Sequence, residues 1–298
     1  MIVYPMDNAR ELGEKVAKRA KARLGRLEMK KFPDGESYIR FDDLPVGEHA
    51  VLVQSMHPGP NDALISIAFA ARTAKELGAI KVTAIIPYLG YMRQDYRFHP
   101  GECVSNRQMA WMLNQSIERL VTVDPHLHRV KSLQDLFHIE RKKLSANGSI
   151  ANYIKSRFSA KNSIIAGPDG ESSQWAKAIA DSIGFESVVF LKERFSSRHV
   201  KVNVTRELAW KGKDVIIVDD IISSGHTMIE AIKEVKKRAP RSVHVVCAHP
   251  IFAENAYAKI LKAGAKSAWL FDEIILQENL LKISEAPDFS STLSANSV

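Results

Sequence analysis

Val215-Ile216-Ile217-Val218-Asp219-Asp220-Ile221-Ile222-Ser223-Ser224-Gly225-His226-Thr227 is the stretch whose reading decides the fold. Its first four residues are apolar and mostly β-branched, the composition of a buried strand. Two carboxylates close that strand. A turn of small residues follows, then a helix with Ile229, Ile232 and Val235 at helical spacing. Strand, tight turn and helix N-terminus together make an anion cradle. The first-turn N–H groups lack intrahelical partners, and the helix dipole favours negative charge there. Ser223, Ser224 and Thr227 add hydroxyl donors.

Asp219 and Asp220 narrow the choice of anion. Carboxylates touching a phosphate would repel it. They make sense if they accept hydrogen bonds from sugar hydroxyls, or hold a divalent metal, while the loop holds a phosphate. Neither G-x-x-x-x-G-K-[ST] nor G-x-G-x-x-G occurs in the chain, so a sugar phosphate fits better than the triphosphate of a P-loop enzyme. The plainer alternative is an acidic strand end followed by a Ser/Gly turn.

Working outward, the same pattern occurs twice. Ala50-Val51-Leu52-Val53, a helix, then Lys81 to Pro87 echoes Val215 to Val218, a helix, then Ser242 to Cys247, with Gln54-Ser55 where the later copy has Asp219-Asp220. Further strands are expected at Ile2–Tyr4, Tyr38–Phe41, Leu120–Val123, Ser163–Ala166, Val188–Leu191 and Ser267–Leu270. Helices are expected from Asn8 as cap to about Ala22, from Asn61 or Asp62 to Leu77, over Ser105–Gln115, up to Ile183, and over Ala253–Leu261. Alternating strands and helices imply α/β architecture with mainly parallel sheets and ligands at the carboxyl ends of the strands. The expectation is two tandem duplicated domains, 1–147 and 148–285, joined near Ser145–Ser149, with a Ser-rich tail at 286–298. Two long polar loops, Tyr88–Ser105 and Lys192–Gly212, read as functional.

The 298 residues are 45% apolar and 26% charged, with a formal charge of +8, a globular composition with room for about two domains. The cations are spread over helix faces such as Lys15–Arg26, with no aromatic interleaving, so anionic small substrates explain the charge better than nucleic acid. Cys103 and Cys247 are too few for a disulfide framework or a zinc site. No apolar run approaches about 18 residues, so no membrane partner is expected. Met1–Arg10 lacks a signal-peptide core; a cytoplasmic location is expected.

Other candidates lie just after expected strands. Arg93 and Gln94, with Asp95, Arg97 and His99, sit in the first long loop, where guanidinium forks suit phosphate oxygens; a solvated charged loop is the alternative. His126 follows an Asp-Pro step and Asp169 stands in Pro-Asp-Gly; the pair suits a magnesium bridged to nucleotide phosphates. Either side chain also fits a structural role, and His128 competes with His126. Lys192 and Arg194 place two cations where transferred phosphoryl groups develop charge, or form a surface cluster. Phe32, Asp34 and Glu36 surround a turn: an aromatic that can stack on a base and two acids that can accept from an amino group, or a plain hairpin.

Val215–Thr227 resembles the 5-phosphoribosyl-diphosphate signature of type I phosphoribosyltransferases, with Ser223 where a third acid is common and His226 where glycine is common. The whole order resembles the ribose-phosphate diphosphokinase (PRPP synthetase) family: Phe32-Pro-Asp-Gly-Glu36, Arg93-Gln-Asp95, Asp124-Pro-His126, Pro168-Asp-Gly170, Lys192-Glu-Arg194 and Asp219-Asp220…Ser224-Gly225-x-Thr227, with the Asp-Pro-His form and Ser223 closer to its archaeal type. Gly170-Glu171-Ser172 departs from the usual glycine-rich continuation, and Glu193 stands where arginine is commoner. The resemblance implies transfer of the β,γ-diphosphoryl group of ATP to O1 of ribose 5-phosphate, with Mg²⁺ as cofactor. Phe32, Asp34, Glu36, Arg93 and Gln94 would bind ATP, the first three in a neighbouring subunit's site of a homo-oligomer. His126 and Asp169 would serve the metal, and Lys192 and Arg194 catalysis. Asp219 and Asp220 would hold the ribose hydroxyls, and Ser223, Ser224, Gly225, His226 and Thr227 the 5-phosphate. A PRPP-using phosphoribosyltransferase would leave the first half unexplained. A non-catalytic regulatory subunit need not keep Lys192, Arg194, His126 and Asp169.

Overall fold

The computed structural model describes residues 1–194 and 200–270. They form two compact units, and the chain passes from one to the other between Ser145 and Ala146. The expected tail at 286–298 lies outside the described residues.

The first unit runs β1 (Ile2–Pro5), α1 (Arg10–Arg19), β2 (Arg23–Leu24), β3 (Leu27–Lys31), β4 (Ser37–Phe41), β5 (His49–Val53), α2 (Pro60–Glu76), β6 (Lys81–Ile85), α3 (Ser105–Ser116), β7 (Arg119–Val123) and β8 (Glu140–Leu144). Six strands form one parallel sheet in the order β2-β1-β5-β6-β7-β8. The inner strands are short apolar runs because helices cover a parallel sheet on its faces. Ile67, Ala70, Ala71 and Ala74 of α2 pack with Leu52 and Val82 in the core. β3 and β4 stand apart as a two-stranded antiparallel hairpin, Leu27↔Phe41 to Lys31↔Ser37.

The second unit begins with α4 (Asn147–Arg157) and continues β9 (Ser163–Gly167), α5 (Ser173–Ile183), β10 (Glu186–Arg194), β11 (Val200–Val204), β12 (Asp214–Ile222), α6 (His226–Lys236), β13 (Ser242–Pro250), α7 (Ala256–Ala263) and β14 (Ser267–Leu270). Its sheet order is β11-β10-β9-β12-β13-β14, parallel except for β11.

The internal echo is present in the registers. Ile2↔Ala50 and His49↔Lys81 in the first sheet match Ile164↔Val215 and Asp214↔Ser242 in the second. Counting from them puts Gln54 at the position of Asp219, Ser55 at that of Asp220, and Asp7 at that of Asp169.

Several local expectations give way. Asn8 does not cap α1, which starts without a side-chain cap; its Nδ2 donates to the carbonyls of Ser55 (3.2 Å) and His57 (2.6 Å). Ser145–Ser149 is not a linker throughout. Asn147, Gly148 and Ser149 form the first turn of α4, because Ile150, Ala151 and Ile154 behind them are buried. The loop expected at Lys192–Gly212 is in part a hairpin, with Lys192↔Val202 and Arg194↔Val200 in register. β11, Val-Lys-Val-Asn-Val, does alternate, but it is five residues long inside an otherwise polar stretch; β8, Glu-Arg-Lys-Lys-Leu at the sheet edge, has no apolar alternation to mark it as a strand.

One titration follows from the base of the first sheet. His49 Nε2 lies 2.8 Å from Thr83 Oγ1. Burial, then Lys81, the N-terminal ammonium and Arg119, pull its imidazole down to about 4. Between pH 6.5 and that value the unfolded chain binds a proton the folded chain refuses, so stability falls as pH falls. His49→Asn, which keeps a polar partner for Thr83 and does not titrate, is expected to remove about 1–2 kcal/mol of the loss, a figure discounted for the half-buried ring. Urea midpoints at pH 7 and pH 4.5 read it; an identical pH dependence in both proteins contradicts it.

Candidate functional site

In the second unit β12 carries the acids. Its ladder pairs Asp219↔Cys247 and Ile221↔His249 but passes over Asp220, whose N–H donates to Asp219 Oδ1 (3.0 Å); the N–H of Ile221 donates to Asp220 Oδ1 (2.8 Å). The strand therefore runs beyond the acid pair to Ile222, and the turn that follows is Ser223-Ser224-Gly225. Gly225 sits just before α6 with φ 77°, a left-handed conformation that favours glycine. A Cβ there would stand 3.1 Å from Ala256 Cβ. No side chain caps α6, so its first N–H groups remain available to an anion. His226, the first helical residue, is exposed, and its Nδ1 lies 3.1 Å from Ser224 Oγ. It stands on the rim rather than in the tight bend that Gly225 makes. Thr227 is half-buried beside it.

Asp169 follows β9. Its Oδ1 accepts the N–H groups of Glu171 (3.1 Å) and Ser172 (3.0 Å), and its carbonyl accepts from Ser172 Oγ (2.6 Å). Gly167 is required at this bend: a Cβ there would come within 2.6 Å of Ser172 Oγ. Glu171 is exposed. Burial, then the Asp220 and Asp169 carboxylates, push the Asp219 carboxyl well above the usual carboxylate range. Such crowding is relieved by hydroxyl donors or a cation. Lys192 and Arg194 lie on β10, which runs on from Val189, the partner of Gly167, to Arg194.

In the first unit Phe32, Asp34 and Glu36 form the tip of the β3–β4 hairpin. Phe32 N donates to Glu36 O (2.8 Å), Gly35 N to Phe32 O (2.9 Å) and Glu36 N to Asp34 Oδ1 (3.1 Å). Phe32 is 46% exposed and meets only the edge of Tyr38 among the described rings, at 5.7 Å. Arg93 is exposed; Gln94 Oε1 accepts from Ser105 Oγ (2.9 Å) at the start of α3. His126, half-buried, follows Asp124, whose φ is 33° and whose N–H donates to Leu144 O (3.0 Å).

Residues 1–116 match the N-terminal domain of ribose phosphate pyrophosphokinase, and residues 132–278 match the phosphoribosyl transferase domain. Over 291 residues the chain is 32% identical to the ribose-phosphate pyrophosphokinase of Methanopyrus kandleri, which covers 96% of each chain. The chain belongs to the ribose-phosphate pyrophosphokinase family. The ribose-phosphate pyrophosphokinase of Pyrococcus furiosus is 36% identical over 245 residues, 82% of this chain and 85% of its own. Phosphoribosylpyrophosphate synthetase from Mycobacterium smegmatis has a crystal structure similar to this one, with TM-score 0.79 at 26% identity over 90% of this chain and 87% of that one. The resemblance drawn from the motifs and the duplicated α/β fold are thus both borne out.

Within this pyrophosphokinase frame, the second unit gathers Asp169, Asp219, Asp220 and the Ser223–Thr227 loop at the carboxyl ends of neighbouring strands. The first unit keeps its degenerate copy: Gly59, with φ 76°, stands just before α2 as Gly225 does before α6, but Gln54 and Ser55 replace the acids. Ser172 was legible only as a departure from the glycine-rich pattern; its hydroxyl is what holds the Asp169 turn.

Proposed function

We propose that this chain transfers the β,γ-diphosphoryl group of ATP to ribose 5-phosphate. The O1 hydroxyl attacks the β-phosphorus, the bond from that phosphorus to the oxygen bridging the α-phosphate breaks, AMP leaves, and the hydroxyl proton passes to solvent. The observation that carries this reading is the β12–α6 cradle: two carboxylates for ribose hydroxyls and an uncapped helix N-terminus for the 5-phosphate, in a member of this family. Asp219 and Asp220 hold the hydroxyls, and Ser223, Ser224, Gly225, His226 and Thr227 the phosphate. Arg93 and Gln94 bind ATP. Lys192 and Arg194 stabilise the transferring group, so catalysis is positioning plus electrostatics. The assignment gives 1–147 the nucleotide, 148–285 the sugar phosphate, and the protein a cytoplasmic place. No described helix is long and apolar enough to cross a membrane.

Magnesium fits the donor set. Among the described residues no three His, Cys, Asp or Glu side chains stand close enough to hold a metal unaided. Mg²⁺ suits such a site, because it keeps waters and takes substrate phosphates as ligands. His126 in the first unit and Asp169 in the second are the residues assigned to the metal, each in its own unit, and the ion would neutralise charge on the phosphoryl oxygens.

The Phe32 hairpin supports a homo-oligomer in which its tip completes a neighbour's nucleotide site. Phe32→Ala is expected to raise KM for ATP about tenfold, since stacking on an aromatic contributes about 1–3 kcal/mol, with KM for ribose 5-phosphate unchanged. A fully active monomer by light scattering would contradict the shared site. The reaction itself is tested by incubating the protein with ATP, Mg²⁺ and ribose 5-phosphate and following AMP by chromatography. AMP that forms only with the sugar phosphate supports the proposal; ATP binding without AMP overturns it.

A further inference from the structure

One buried carboxylate ties together two parts of the first unit that are 34 residues apart in sequence. Asp95 lies in the loop between β6 and α3, two residues after Arg93. Arg129 lies after β7, three residues beyond His126. The Asp95 side chain is 2% exposed. Its Oδ2 accepts the main-chain N–H of Arg129 (2.9 Å) and its Oδ1 accepts from Arg129 Nη1 (3.0 Å). Two aromatics flank the guanidinium of the pair. The Arg129 guanidinium lies 5.1 Å from the Phe98 ring centre and 5.6 Å from that of Tyr96, and these rings meet edge-on at 5.6 Å. Glu102 closes the loop behind them: its Oε2 accepts the N–H groups of Phe98 (2.7 Å) and His99 (3.0 Å), and its carbonyl accepts from Arg97 Nε (2.7 Å). Burial alone would raise the Asp95 carboxyl, but the Arg129 hydrogen bonds outweigh it and hold the group below the usual carboxylate range.

The placement gives this pair more than a stabilising role. The segment from Tyr88 to Val104 has neither helix nor strand. Leu89 and Met92 anchor its start in the core, and Gln94 is tied to α3 through Ser105, but Arg93 itself is exposed. A loop without ladder hydrogen bonds relies on such side-chain ties to hold a functional group still. We propose that Asp95 and Arg129 are positioning residues, a strut that sets the distance between the nucleotide-contacting Arg93-Gln94 and the metal-side His126. The proposal rests on the function argued above. It makes nucleotide binding depend on a contact that touches no substrate, and leaves ribose 5-phosphate binding independent of it.

The test uses the full-length protein with Arg129→Ala, Arg129→Lys and Asp95→Asn. ATP and ribose 5-phosphate affinities are measured separately by calorimetry, and turnover by AMP release. Arg129→Ala is expected to weaken ATP about tenfold and to lower kcat about 10–100-fold, because misplacement of about 1 Å is felt on that scale. The Kd for ribose 5-phosphate should stay within about twofold. Low-millimolar guanidinium should restore part of the ATP affinity, since the Arg129 side chain is 43% exposed and its place is reachable; a general folding defect would not be rescued. Arg129→Lys, which keeps the charge and the main-chain N–H but loses the fork, should fall between. If Arg129→Ala does not fold, Asp95→Asn, of the same shape, must show the same split. ATP affinity and kcat within about twofold of wild type in these variants would overturn the strut, as would equal losses for both ligands. Should the unmodified protein release no AMP, the assigned reaction fails, while the ATP-affinity comparison still decides the strut.

Discussion

Lys192→Ala is expected to lower kcat about 10²–10³-fold while KM for ATP moves no more than about threefold, the pattern of an interaction made in the transition state and not in the ground state. As the diphosphoryl group leaves AMP, charge builds on the bridging oxygen and on the oxygens of the β-phosphorus. A preorganised cation there contributes about 3–4 kcal/mol because it needs no reorganisation as the reaction proceeds. Backbone pairing puts Lys192 on β10 opposite Val202, in the hairpin that continues beyond the end of β9 where Asp169 turns. Steady-state kinetics with ATP varied at saturating ribose 5-phosphate reads both parameters. An unchanged kcat would remove Lys192 from the chemistry, and a large rise in KM with kcat intact would make it a ground-state binding residue.

Asp220→Ala should act on the other substrate. Asp220 is 3% exposed and one of its oxygens takes the N–H of Ile221, which fixes the carboxylate at the strand end. Hydrogen bonds to a charged group contribute about 1.5–3 kcal/mol each, so loss of the ribose contact is expected to raise the Kd for ribose 5-phosphate about 10²-fold and leave ATP affinity within about twofold. Calorimetry with each ligand separately distinguishes this from a misfolded cradle, which would also lower the thermal midpoint. Equal weakening of both ligands would contradict the assignment. Asp219→Asn is a useful companion: it removes an acceptor for the ribose hydroxyls without changing the side-chain shape, and so should weaken the sugar phosphate while leaving ATP affinity within about twofold.

Much of this protein was determined by local sequence. Val215–Val218 and Ala50–Val53 read as buried parallel strands, because short β-branched and apolar runs bounded by turn residues and alternating with helices fit a sheet covered on both faces. Gly225, the hydroxyls around it and the acids before it followed from the same logic, since a left-handed bend and an uncapped helix start need those residue types. The duplication was legible because the same strand–helix–strand pattern recurs, Ala50 to Pro87 and again Val215 to Cys247. What lay beyond local reading depended on partners distant in the chain. β8 is a polar strand defined by its ladder, and the extension of β10 to Arg194 with β11 opposite is defined by their pairing. Asn8 looked like a helix cap, but the carbonyls of Ser55 and His57 outcompeted the helix for its amide. Asp95 read as one more charge in a polar loop; only the tertiary structure buried it against Arg129, because a carboxylate can leave water only where a cation and an N–H from elsewhere in the chain are waiting for it.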